Sequence, residues 1–300
     1  MRRYPSTQLP RLVRAFGPVA TRAQLRTAGV SGPALTAAVR AGILVRLRRG
    51  YYAPPSVAVD CATAIRLGGR LGSISAARSY GWWDGGDNRV HVSWPVDGHV
   101  AKPGRVEFDS TSAAAGPVHH WRILREPDHS ATSTWRESPK QSLAQVLLSS
   151  DRLTAVACAD SALRAGTLSF FEVMAVFAAM PRRVRAWSRY VDGMPDSGLE
   201  SIVRVWLIDR GIPFVLHPAI AGVGEVDFLV GESLIIETDG QLGHDDREGR
   251  RRDYRRDTAA ASRGYLAVRL NYAQVMFGWA SCERQLLEHL GRGDHRRPIR

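Results

Sequence analysis

The stretch Glu225-Val226-Asp227-Phe228-Leu229-Val230-Gly231-Glu232-Ser233-Leu234-Ile235-Ile236-Glu237-Thr238-Asp239-Gly240 decides how the last third of this chain is read. Two apolar runs flank Gly231-Glu232-Ser233, which is the pattern of an antiparallel hairpin closed by a tight turn. Asp227 sits inside the first run and Glu237 near the end of the second, at similar distances from the turn. The hairpin therefore brings the two carboxylates close to opposite each other. Acids facing one another in apolar strands repel and are costly to bury. A hard divalent cation resolves that conflict, taking oxygen ligands from one or two carboxylates and water at its other sites. The expected cofactor is Mg2+ (or Mn2+), held by Asp227 and Glu237. The competing reading leaves one of the two acids in solvent on a half-exposed sheet.

Upstream of the hairpin, Ser197 can cap a helix whose apolar side carries Leu199, Ile202, Val203, Val205, Trp206 and Leu207, with Glu200 in the capping-box position and Gly211 at the end. Phe214-Val215-Leu216 reads as a strand. Downstream lies a charged helix with Arg247, Arg250, Arg251, Arg252, Arg255 and Arg256, then a return strand at Tyr265-Leu266-Ala267-Val268-Arg269-Leu270. Asp227-Phe228, the run from Ile235 to His244, Asp253-Tyr254-Arg255-Arg256-Asp257 and that return strand together resemble the very-short-patch-repair (Vsr) endonuclease family. This family is one branch of the PD-(D/E)xK nucleases. The resemblance implies a restriction-endonuclease-like α/β/α domain with a mixed central sheet. It implies that Asp227 ligates the metal, that Thr238 supplies a backbone carbonyl to it, and that Glu200 positions metal-bound water. His244 would activate water or stabilise the leaving oxygen. Asp239 joins this catalytic set at the position where repair members carry a histidine. Two features depart from the pattern: Asp239 replaces the usual Lys, and the zinc-binding residues of the repair enzymes are missing, so mismatch specificity is not implied. Arg251, Arg252, Arg255 and Arg256 would hold the DNA backbone by charge.

The beginning of the chain has a different character. A short helix at 9–16 is followed by Thr21-Arg22-Ala23-Gln24-Leu25, a capped helix start, and then by a break at Gly29. Ser31 caps a third helix with Pro33 in its first turn. Ile43-Leu44-Val45-Arg46-Leu47-Arg48-Arg49-Gly50-Tyr51-Tyr52 alternates apolar residues with Arg around a Gly turn, a basic hairpin. This order is that of a winged helix-turn-helix, with the third helix in the major groove and the wing on phosphate. Arg22, Arg40, Arg46, Arg48 and Arg49 are the expected DNA contacts. Up to Val59 there are ten arginines and no acid. The stretch also resembles the N-terminal domain of AbiEi-family antitoxins, repressors of type IV toxin–antitoxin systems, through 21–25, Ala28-Gly29-Val30-Ser31 and Leu47-Arg48-Arg49-Gly50-Tyr51-Tyr52-Ala53.

The middle says least. Helices are expected to start at Ser73 and to span 141–148 and 153–163, with strands at 90–94 and 121–124. Trp82-Trp83 reads as core filling and His119-His120 as surface. Residues 181–185 look like a basic connector, and 192–198 like a flexible link. The organisation expected is α/β and multidomain: a winged helix-turn-helix at 1–58, a mixed α/β middle domain at 59–190, and the nuclease-like domain at 195–300.

The 300 residues carry 41 Lys+Arg against 29 Asp+Glu, a formal charge of +12, which favours a polyanionic partner. Cys61, Cys158 and Cys282 are too scattered for a disulfide framework or a structural zinc. No apolar signal core or bilayer-length segment is present, so a cytoplasmic protein without membrane contact is expected. No P-loop or nucleophile elbow occurs. The expected function is a Mg2+-dependent endodeoxyribonuclease targeted to DNA by the winged helix, with a homodimer left open. The alternative is a DNA-binding repressor of the antitoxin kind whose nuclease-like domain is non-catalytic.

Overall fold

Side-chain caps start most of the helices in the first unit. The computed structural model describes residues 5–98, 116–126, 134–240 and 247–299; for 6 and 247–253 only the backbone is described. After α1 (Leu9–Arg14) and the short strand β1 (Ala20–Thr21), Thr21 and Gln24 form a complete capping box that opens α2 (Arg22–Thr27). Ser31 Oγ accepts from Ala34 N to open α3 (Gly32–Arg40), with Pro33 in the first turn. The wing is β2 (Val45–Arg48) against β3 (Tyr51–Ala53), and β1 completes a sheet of order β1-β3-β2. The unit is winged-helix-like, as its caps and turns predict.

The winged helix is not a bead on a string. Val19, Leu47 and Ala53 share one buried core with Cys61, Ile65, Leu71 and Trp94 of the middle unit. That unit contains α4 (Val59–Leu67), β4 (Arg70–Leu71), α5 (Ser73–Ser79), β5 (His91–Trp94), β6 (Val118–Trp121), α6 (Pro139–Ser149), α7 (Arg152–Arg164), α8 (Phe170–Ala178) and α9 (Arg182–Arg185). Its sheet runs β4-β5-β6, antiparallel then parallel. Strand β6 starts three residues before the expected 121–124, because its pairing to β5 begins at His91 opposite Val118. Trp82 fills the core, as expected.

His120, expected at the surface, is buried: its Nε2 lies 2.9 Å from His91 Nδ1, and His91 Nε2 lies 3.2 Å from Asp87 Oδ2. The Arg89 guanidinium holds the Asp87 carboxyl well below its ordinary range, so Asp87 can only accept. His91 therefore donates through Nε2 and accepts the Nε2 proton of His120. Burial pushes His120 down to about 4, and burial lowers His91 as well. A depressed native His pKa means that the unfolded chain protonates first, near 6.5. Stability from this pair is present above pH 6.5 and falls as pH drops towards 4, by roughly 3 kcal/mol for His120. Thermal melts across that window should show the decline, and His120→Gln should flatten it; an unchanged slope in the variant would remove His120 as the cause.

The segment read as a flexible link is pinned. Asp160, fully buried on α7, accepts from the backbone N–H groups of Asp192 and Gly193 at 3.0 and 3.1 Å. Its other oxygen accepts from Ser201 Oγ (2.9 Å) and Arg204 Nη2 (3.1 Å), both on α10 (Gly198–Asp209). Arg204 also bonds Asp192 and the Tyr190 carbonyl. Pattern alone suggests mobility at Gly193 and Pro195, whereas a buried carboxylate on a distant helix supplies the acceptors that fix the segment.

The last unit continues with β7 (Phe214–Leu216), β8 (Ala219–Ile220), β9 (Gly224–Glu225), β10 (Phe228–Val230), β11 (Leu234–Asp239), α11 (Arg247–Ser262), β12 (Leu266–Asn271), α12 (Tyr272–Phe277) and α13 (Trp279–Gly291). The sheet order is β12-β11-β10-β7, with β11–β12 parallel and the rest antiparallel. Phe228, Val230, Leu234 and Ile236 pack beneath α10, α12 and α13, while Ile235 meets Ala260 of α11 on the opposite face. This is the mixed-sheet α/β/α arrangement expected. Among the described residues no helix is long and apolar enough to cross a membrane.

Candidate functional site

Two places concentrate chemistry. The first is the arginine-rich surface of the winged helix. Arg11 and Arg14 of α1, Arg22 and Arg26 of α2, Arg40 at the end of α3, and Arg46 and Arg49 of the wing are all exposed. Ten arginines precede Asp60, the first acid of the chain, and the remaining 31 basic residues face 29 acids. Nearly all the net positive charge thus belongs to this unit. The outward face of α3 presents Pro33, Thr36, Ala37 and Arg40, small groups beside one guanidinium. Such a face suits close approach to a duplex, with phosphate contacts from the surrounding arginines. Arg48 corrects the expected set: it is half-buried, donates through Nη1 to Gly68 O at 3.1 Å and stacks 4.0 Å over Tyr51. It ties the wing to the middle unit. Its neighbours Arg46 and Arg49 face outward, which strand periodicity and the turn predict, but the Gly68 carbonyl twenty residues away is invisible to that pattern.

The second place is the end of the hairpin. The register Phe228↔Ile236 and Val230↔Leu234 sets Asp227 opposite Glu237 along the chain, as the turn spacing predicts. Their side chains nevertheless have different partners. Strand β10 starts only at Phe228, and Asp227 Oδ2 accepts from Thr238 N (2.7 Å) and Thr238 Oγ1 (2.9 Å). Burial pushes the Asp227 carboxyl up, with the charge of Glu200 adding to the rise and the Thr238 hydrogen bonds opposing it. Glu200 is buried on the first turn of α10. Ser197 does cap that helix, but Glu200 does not close the capping box: its Oε2 accepts from Asp196 N (2.8 Å) and meets His217 Nε2 at 2.7 Å. His217 lies outside the expected set. Its backbone is in the left-handed region at φ 50°, a conformation costly for a residue with a Cβ and one that recurs at functional sites. The imidazole is lowered by burial, but its hydrogen bond to Glu200 and the nearby Glu200, Asp196 and Asp227 charges outweigh this and raise its pKa. A lone His ahead of Pro218 carries no local pattern, so only the assembled fold reveals it.

Glu237 stands elsewhere: Oε1 accepts from Arg256 Nη2 at 3.0 Å and Oε2 from Arg269 Nε at 2.9 Å. Thr238 contributes its N–H and hydroxyl to Asp227, and Asp239 is exposed at the end of β11. Arg255 is exposed; Arg256 is half-buried. His244 lies outside the described residues, as do the side chains of Arg251 and Arg252. Thus Glu200, Asp227 and Thr238 are brought together with His217, and Glu237 is not among them. No set of three His, Cys, Asp or Glu side chains among the described residues could hold a metal ion. Asp227 and Thr238, the two residues to which the nuclease resemblance assigns the metal, lie together, while His244 of the same set is outside the described residues.

Residues 8–55 match the family described as the transcriptional regulator, AbiEi antitoxin. The match covers the whole winged helix from α1 through β3 and bears out the N-terminal resemblance. No curated protein matches the chain.

Proposed function

We propose that this chain is a DNA-binding transcriptional regulator of the antitoxin kind that docks through its winged helix. One observation carries the reading: an arginine surface without a single acid, on a winged helix that matches the AbiEi antitoxin regulators over residues 8–55. Phosphate contacts position such a protein, and the α3 face reads the groove. The test is a gel shift with DNA from upstream of its own coding sequence against unrelated DNA, at about 50 mM salt, where phosphate contacts are strong. Retention of the upstream DNA at lower protein concentration supports the reading; equal failure to retain either DNA rejects it.

A second reading, a metal-dependent endonuclease, is favoured by the convergence of Glu200, His217 and Asp227 beside Thr238. It predicts plasmid nicking with Mg2+ or Mn2+ that Asp227→Ala abolishes, a loss of about 100-fold or more as expected for removal of a charged group at the reacting centre. Equal inertness of wild type and variant across substrates and metals would sink it.

A further inference from the structure

Glu237 occupies the position at which sequence alone places a metal ligand, yet both its oxygens are taken by guanidinium groups from separate elements. Arg256 comes from α11 and Arg269 from β12, directly opposite Glu237 in the parallel register. Arg269 continues to Asp257 of α11 at 2.7 Å, and Arg256 also donates to the Glu225 carbonyl. These contacts link β11 through β12 to α11 by alternating carboxylates and guanidiniums. The pleat explains the location. Glu237 shares the pleat of Ile235, on the face covered by α11, whereas Ile236 packs in the core beneath α10 and Thr238 bonds Asp227. Beside it, Val223, Val226, Ile235 and Ala260 close a small apolar cluster, so the Glu237 side chain is only 17% exposed. In such surroundings, charge-assisted bonds to fixed guanidiniums are strong, and a carboxylate that loses them is left with a large desolvation cost.

We propose that Glu237 is the anchor that fixes the basic helix α11 to the sheet, and that it is not a metal ligand. Outside this network, among the described side chains, α11 is held mainly by alanines at 259 and 260, which bury little apolar area. Among the described side chains, Glu237 is thus the acid of the strand below that binds this basic helix, through Arg256 directly and through Arg269 to Asp257. The inference is independent of which function the chain has.

The test compares Glu237→Gln and Arg256→Gln in the full-length protein. Amide hydrogen exchange across 247–262 is read without metal, and Mn2+ binding is read by the loss of the free-ion electron paramagnetic resonance signal. Both variants should speed exchange across α11 about tenfold while leaving β7 and α10 unchanged, because the clamp acts locally. Mn2+ binding should be the same in Glu237→Gln as in wild type, whether or not the wild type takes up the ion. Arg256→Gln keeps the Glu237–Arg269 pair and guards against a Glu237 variant that folds poorly. Wild-type exchange across α11 in both variants overturns the proposal. So does a loss of Mn2+ binding in Glu237→Gln that Arg256→Gln does not share.

Discussion

Arg204→Ala is expected to lower stability by about 3–5 kcal/mol, because it leaves a buried carboxylate without its counter-charge. Asp160 is fully buried, and Arg204 contributes both to its charge balance and to the Tyr190 and Asp192 contacts that hold the chain between α9 and α10. The unpaired Asp160 would retain Ser201 and two backbone amides, which lessen but do not replace the lost guanidinium. Urea denaturation of wild type, Arg204→Ala and Asp160→Asn/Arg204→Met separates the effects. The double variant removes both charges, keeps similar volume and should recover at least half of the loss. A midpoint for Arg204→Ala corresponding to less than about 1 kcal/mol of destabilisation would mean that water enters the hub and solvates Asp160.

The second large effect concerns DNA. Replacing Arg22, Arg26, Arg40, Arg46 and Arg49 together by Gln should weaken binding by at least about 100-fold at 50 mM salt, since each phosphate contact releases counterions. The slope of log affinity against log salt should become shallower by about one for each phosphate contact removed. These five side chains are exposed, so folding should survive their neutralisation. Arg48→Gln is the control: with its guanidinium on the Gly68 carbonyl and over Tyr51, it should alter stability while leaving the salt slope close to wild type. An unchanged slope in the five-residue variant would move the DNA-binding surface away from the winged helix.

The elements legible in the sequence are those whose cause is local. Thr21 with Gln24 and Ser31 with Ala34 cap helices through partners three residues away, and Gly231 with its flanking apolar runs makes the hairpin and its register. Short-range geometry governs these, so alternation and turn chemistry reach them. Other features depend on residues far along the chain. His120 is buried because β6 pairs with β5, which brings it to His91 across 29 residues. The link at 192–197 is held because Asp160 reaches it from α7 across 32 and 33 residues.

At the candidate site, the residue pattern suffices to put Asp227 and Glu237 at opposite positions of one hairpin. That they serve different faces emerges once the helices and strands are packed together. Asp227 lies outside the pleat of β10 and turns to Thr238 near Glu200 and His217, whereas Glu237 stays in the pleat and meets Arg256 and Arg269. Spacing from a turn sets which backbone positions are neighbours. Which way a charged side chain points is set by the counter-charges and hydrogen bonds the assembled fold brings to it, because a partly buried carboxylate takes the face where it is paired.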